Sequence, residues 1–276
     1  MSNNEEKEFN VGGRVDTALS GQYELKANNI IKEAWQLTLK NFWSFSPTII
    51  VLIILQLAIF IIALKMQLGD PSVLFSLLDG SADEVQIQSI IQSVMVANFS
   101  YEIISAPLYA GVCLMAMSHA TGFKTQTNHI FKGLQFTIPV MLVTIMSLVL
   151  QGLSGLLLPF LSLYLSMAFS NAVFLVCEKR VTPMRSLFLS LRAINKKILA
   201  VTPVYILILL MFFAAALFYG IGFIFVLPFF FHVKGIIYRD MFGIRMRVIQ
   251  SGGSNTPPNN NNSSGNNDKK SQVFDA

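Results

Sequence analysis

From Lys132 to Glu178 the chain reads KGLQFTIPVMLVTIMSLVLQGLSGLLLPFLSLYLSMAFSNAVFLVCE, with no Asp, Glu, Lys or Arg between its two ends. An uncharged apolar stretch of about 18 residues already qualifies as a membrane span, because roughly 20 residues of helix cross the hydrocarbon. This run is long enough for two. Its break falls at Gly152, Gly155 and Pro159, in QGLSGLLLP. Backbone in lipid must satisfy its own hydrogen bonds, so the run predicts two helices joined by a turn near a membrane surface.

The same reading extends outward in both directions. Between Lys197 and Lys234 a second uncharged run breaks at Tyr219-Gly220-Ile221-Gly222, and a third lies between Lys40 and Lys65. One further span precedes His119 and contains Ala106-Pro107-Leu108-Tyr109-Ala110-Gly111. The expected spans are roughly 46–64, 100–119, 137–156, 159–177, 199–218 and 221–238. Composition agrees: 53% of residues are apolar and 13% charged, where a soluble domain carries roughly 25% charged residues.

Orientation follows from the basic residues, which concentrate in cytoplasmic loops. One side holds Lys32, Lys40, Lys124, Lys132, the run from Lys179 to Lys197, and Lys234, Arg239, Arg245 and Arg247. The opposite loops hold Lys65 against Asp70, Asp79, Asp83 and Glu84. Both termini are therefore expected in the cytoplasm, with the chain in the cytoplasmic (inner) membrane. The formal charge of +5 reads as a topology signal, with no nucleic-acid partner expected. MSNNEEKEFNVGGRVD has no apolar core and is not a signal peptide. Residues 1–22 are expected to be disordered, 23–250 to form the six-helix domain, and the Asn-rich residues 251–276 to be a disordered tail.

A repeat organises the membrane region. Lys40, Lys132 and Lys196 are each followed seven residues later by a proline, Pro47, Pro139 and Pro203, and then by an apolar run. Each is preceded by an amphipathic segment: NNIIKEAWQLTLK, TNHIFKGLQ and TPMRSLFLSLRAINKK. The pattern predicts an all-α protein of three helical hairpins, each led by an amphipathic helix lying on the cytoplasmic surface with its apolar face in lipid. Ile30, Ile31, Ala34, Trp35, Thr38 and Phe42 form that face in the first helix; Met184, Leu187, Phe188, Leu191 and Ile194 form it in the third. Thr182 is placed as N-cap of the third surface helix, and the three prolines in the first turns of the helices that follow. Arg185, Arg192, Lys196 and Lys197 would then meet anionic lipid headgroups.

Candidates for chemistry are few. Gly152-Leu153-Ser154-Gly155 matches the nucleophile signature of intramembrane serine proteases, with His232 as the apparent base. Ser154 falls at an outer turn, however, and His232 falls about 15 Å deeper at about 1.5 Å per residue. No catalytic residue is assigned. Glu102 is the one acidic residue of the second span, so it is either an interfacial carboxylate or a coupling site. Ser162, Ser166 and Ser170 recur every four residues, a spacing that suits helix packing and also a polar stripe. His119, His129 and His232 show no metal-ligand spacing and are placed near the cytoplasmic interface. Cys113 and Cys177 read as small apolar fillers. No cofactor fingerprint is present.

NNIIKEAWQLTLKNFW, APLYAG followed by a basic loop, and PFFFHVKGIIYRDMFG resemble a widespread set of uncharacterised bacterial six-helix membrane proteins. Those are similar to the membrane domain attached to some glycerophosphodiester phosphodiesterases. The resemblance covers about residues 25–245. It implies a fold and a location and carries over no residue roles, since the phosphodiesterase chemistry belongs to a separate soluble barrel. Two functions are then in view. One is a non-enzymatic membrane protein that organises lipids or partner proteins; the other is a small transporter or channel subunit, oligomeric or partnered. Glu102 and the serine stripe gathered around one cavity would favour the second.

Overall fold

The computed structural model describes residues 6–249. Strand β1 (Glu6–Val11) and short helix α1 (Val15–Ser20) lead into α2 (Ala27–Lys40) and α3 (Phe42–Leu68). A 3-10 turn and α4 (Phe75–Leu78) connect to the long α5 (Glu84–Ala120). Then come a 3-10 segment (Thr127–Phe136), α6 (Thr137–Leu157), α7 (Pro159–Ala168) and α8 (Ala172–Glu178). The chain ends with α9 (Pro183–Lys196), α10 (Ile198–Leu217), α11 (Phe223–Phe242) and β2 (Ile244–Ile249).

Local chemistry sets the boundaries. Asp83 opens α5 with a capping box: its carboxylate accepts from the Gln86 amide at 2.7 Å, and the Gln86 side chain accepts from the Asp83 amide at 3.3 Å. Pro159 and Pro183 stand in the first turns of α7 and α9, where a missing N–H leaves nothing unpaired. Thr182 is the N-cap of α9, as expected, but its hydroxyl makes no capping bond.

Among the described residues, five helical segments are long and apolar enough to cross a membrane: Phe42–Leu68, Glu84–Ala120, Thr127–Leu157, Pro159–Glu178 and Ile198–Leu217. Helix α11 matches α10 in length but carries Lys234, Arg239 and Asp240. The outer faces of α3 and α10 are greasy, with Ile54, Leu57, Ile62, Leu209, Leu210 and Phe213 all more than half exposed. Such a continuous apolar surface suits lipid and would aggregate in water. At the centre, α5 is buried nearly all round from Ser105 to Ala120, and α11 from Val226 to Phe242.

Helix lengths and breaks match in two of the three units expected from the lysine–proline spacing. Helices α2 and α9 are each 14 residues long and end at Lys40 and Lys196. After a one-residue break, α3 and α10 begin, each with its proline (Pro47, Pro203) inside the helix rather than in the first turn. In the middle unit the leading segment is a 3-10 helix, and Pro139 does sit in the first turn of α6.

The amphipathic helices depart from expectation in what they cover. Ile30, Ala34 and Thr38 of α2 are buried at 2%, 0% and 1% exposure. They face protein, because α2 packs along α11. Trp35 meets Phe229 edge-on at 6.2 Å and Phe42 stacks on Phe225 at 4.8 Å. In α9, Leu187, Ala193 and Ile194 are buried while Met184 and Phe188 stay exposed. These faces therefore join the protein core, and only their margins remain for lipid.

Order also extends further toward the N-terminus than expected. Within residues 1–22, β1 pairs antiparallel with β2, Val11 opposite Ile244, and Ala18 of α1 is fully buried. Residues 1–5 and the expected tail 251–276 lie outside the described residues. Below this sheet, Arg239 holds Glu33 of α2 through both carboxylate oxygens at 2.5 and 2.9 Å and donates to the Ala120 carbonyl at 2.8 Å. Glu178 accepts from the Tyr238 hydroxyl at 2.7 Å, Lys179 at 3.0 Å and the Arg245 amide at 3.1 Å.

The 3-10 segment docks on α5 through glycine. A Cβ on Gly111 would lie 1.8 Å from the Ile130 carbonyl oxygen, and one on Gly133 would lie 1.9 Å from that of Pro107. Backbone cannot move aside as a flexible side chain can. Gly111→Ala and Gly133→Ala should each destabilise the fold by about 1–3 kcal/mol or more, measured as a lower melting temperature in detergent; Gly152→Ala, with nothing within 4 Å, is the neutral control.

Candidate functional site: a polar cavity among the helices

A cavity of about 330 Å³ opens among α3, α5, α6, the α7–α8 region and α11. Helix α5 contributes Tyr101, Glu102, Ser105 and Tyr109, a set of positions that falls on one helical face. Thr144, Ser147 and Gln151 come from α6, Ser166 and Ser170 from the segment beyond it, Gln56 from α3 and Lys234 from α11. Val143, Ala106, Phe169 and Val173 supply apolar wall between them.

The polar groups are partly paired among themselves. Gln151 donates to Ser147 Oγ at 2.7 Å, Gln56 donates to Ser105 Oγ at 3.4 Å, and Asn98 donates to Glu102 at 3.1 Å. Tyr109 accepts from the Lys234 ammonium. Ser170 Oγ and the Tyr205 hydroxyl, close beside one another, are buried without a well-formed hydrogen bond. From Glu102 to Tyr109 the α5 axis rises about 10 Å, at about 1.5 Å per residue. The acid and the base thus stand near opposite ends of one chamber.

Glu102 was legible in the sequence as the one acid of its span, and it lies half-buried in the cavity wall. The serine stripe is split. Ser162 packs beside Gly155, whereas Ser166 and Ser170 line the cavity, because α7 ends at Ala168 and the chain turns before α8. Arg185, Arg192 and Lys196 are exposed on α9, and Lys197 lies 5.8 Å from the centre of the Tyr23 ring. They form no common site with Glu102. Lys234, read from sequence only as a topology charge, is 5% exposed and belongs to the cavity.

The protease-like pair is not assembled. Ser154 Oγ donates to the Leu150 carbonyl at 2.7 Å, and both ring nitrogens of His232 are engaged elsewhere. Cys113 and Cys177 are free and buried. Among the described residues no cluster of three or more His, Cys, Asp or Glu could hold a metal.

On the other side of α11 lies a feature that sequence reading missed. His119 and His232 are buried at 1% and 0% exposure rather than at an interface. Thr38, His232, His119 and Thr125 form a continuous chain with contacts of 3.0, 2.9 and 2.8 Å. Its polarity follows from one end. Thr38 donates to the Ala34 carbonyl at 2.7 Å, so its oxygen accepts from His232 Nδ1–H. His232 Nε2 then accepts from His119 Nδ1–H, and His119 Nε2 accepts from the Thr125 hydroxyl. Every donor has an acceptor with both rings neutral. His232 and Lys234 are two residues apart, about 200° around the helix, so α11 presents the histidine chain and the cavity on opposite faces.

Comparison with family models, curated proteins and solved structures finds no match for this chain.

The histidine chain joins α2, α5 and α11, and removing one ring orphans its neighbour. His119→Leu and His232→Leu should each cost about 1–3 kcal/mol, and the double variant should cost less than their sum. Thermal unfolding in detergent completes the cycle, and additivity would dissolve the claimed coupling.

Proposed function

We propose that this chain is a multi-pass protein of the cytoplasmic membrane that binds a small polar solute between its helices, as a small transporter or channel subunit. The observation that carries this reading is one cavity that gathers Glu102 of α5, Lys234 of α11, and Ser166 and Ser170 of the α7–α8 region. Charged side chains at membrane depth are costly and typically face a pathway or one another. Between the two functions open from sequence, this placement favours solute binding over a purely organising role. The exposed Arg185, Arg192 and Lys196 of α9 would sit at anionic headgroups and hold the domain in register with the bilayer.

Six crossings fit this reading better than five. Strand β1 lies beside β2, so the two ends of the described chain share one side, which requires an even number of crossings. Counting α11 supplies the sixth; its three charges are what distinguish it from the others. The basic bias then places both ends in the cytoplasm. Reporter fusions after Gln250 and within residues 70–84 should report opposite sides of the membrane, and the same side at both would sink this topology.

Solute access has its own test. In a Cys113→Ala, Cys177→Ala background, Ser147→Cys and Ser166→Cys should react with a membrane-impermeant maleimide. Leu209→Cys, on the outer face of α10, should not. Inserted protein whose cavity cysteines stay unreactive would end the solute-binding reading.

A further inference from the structure

Resting on that solute-binding reading, we infer that the cavity takes a small organic monoanion whose carboxylate docks on Lys234. An ammonium carries three donors, and Lys234 gives one to the Tyr109 hydroxyl. The rings of Tyr109, Phe230 and Phe174 lie 5.0, 5.3 and 5.9 Å from Nζ and stabilise the cation without pairing it. Among the described residues no carboxylate lies within ion-pair distance of it. A buried cation without a counter-ion is costly. Lys234 lines the cavity, so an anion bound there supplies the missing charge.

The surroundings narrow the ligand. Ser170 Oγ, buried on the cavity wall without a well-formed hydrogen bond, is a second donor for the anionic group. Val143 and Val173 offer apolar wall to a short alkyl chain. Glu102, about 10 Å along α5 from Tyr109, repels a second negative charge, which excludes dianions. At about 330 Å³ the chamber is at the small end of ligand pockets, so the class is a short-chain monocarboxylate. A lipid phosphate diester offers the same single negative charge, and the test separates the two.

The experiment measures equilibrium binding of radiolabelled butyrate to the full chain in an uncharged detergent, with butylamine and phosphatidylglycerol as competitors. Butyrate should bind saturably, be indifferent to butylamine, and retain affinity within a few-fold in Lys234→Arg. Lys234→Met should weaken it about tenfold or more, the loss expected for one charge-assisted hydrogen bond. Size-exclusion profiles check folding. If Lys234→Met does not survive that check, Ser170→Ala, which keeps the charge, should weaken binding several-fold. Undiminished affinity in whichever of the two variants is folded overturns the proposal, as does displacement by butylamine. Saturation by phosphatidylglycerol alone, with no butyrate bound, would make the ligand a lipid and overturn the small-solute assignment. No butyrate binding while the cavity cysteines remain reactive would refute the anion and leave the cavity reading standing; unreactive cysteines would refute the cavity itself.

Discussion

Helices α5 and α11 touch backbone to backbone: a Cβ on Gly235 would lie 2.9 Å from the Ala116 carbonyl oxygen. Lipid gives no hydrophobic drive for two apolar helices to associate, so close approach through small residues and buried polar contacts must hold them. The polar contacts of this domain radiate from that pair. On one side of α11 Lys234 reaches Tyr109 of α5; on the other His232 reaches His119 of the same helix. The outer helices α3, α6 and α10 lean on this axis and turn their remaining faces outward. A cavity can persist beside the axis because its position is fixed by contacts that do not depend on filling it.

Much of the architecture was legible because charge is expensive in hydrocarbon. The uncharged runs located α3, α6 and α10 to within a few residues, and QGLSGLLLP marked the break between α6 and α7; α5, by contrast, begins at Glu84 rather than near 100, and the run expected at 159–177 breaks into α7 and α8. Glu102 stood out for the same reason, since an acid in an apolar run is conspicuous. What sequence could not supply was which polar residues turn inward together. Lys234 was counted as one of many basic residues, and nothing local distinguishes a lysine at a headgroup from one beneath three aromatic rings. His119 and His232 lie 113 positions apart, and only the crossing of α5 and α11 makes them neighbours. The faces of α2 and α9 were misassigned for a related reason: an amphipathic pattern says that one face avoids water and leaves open whether lipid or protein covers it.

Several cationic residues near the β1–β2 sheet carry two duties. Arg239, Lys179 and Arg245 belong to the basic bias read from the sequence, and each also meets a carboxylate, Glu33 or Glu178, Arg245 through its backbone amide. Ion pairs on exposed surface contribute little, but Lys179 and Glu178 are 7% and 3% exposed. Glu178 meets three donors from three segments of the chain, so its burial is matched by hydrogen bonds on both oxygens. The end of the domain beside β1 and β2 is thereby clasped, while in the connection between α3 and α5 Asp70 and Asp79 bond to the neighbouring Ser72 and Ser81.

The pairing of β1 with β2 imposes an order on biosynthesis. Residues 6–11 are synthesised before every described helix, and residues 244–249, their partners, after every one of them. Through all of that time β1 has no strand to pair with, and its backbone donors and acceptors must be satisfied by water. Its sequence, EKEFNV, suits the wait: three of its six residues are charged, which keeps an unpaired edge soluble and discourages it from joining another chain. Closure of this ribbon waits on the helices between its two strands, because a chain misinserted among them delivers β2 late, or to the wrong side. The small sheet thus forms only after the helices between its strands have been placed.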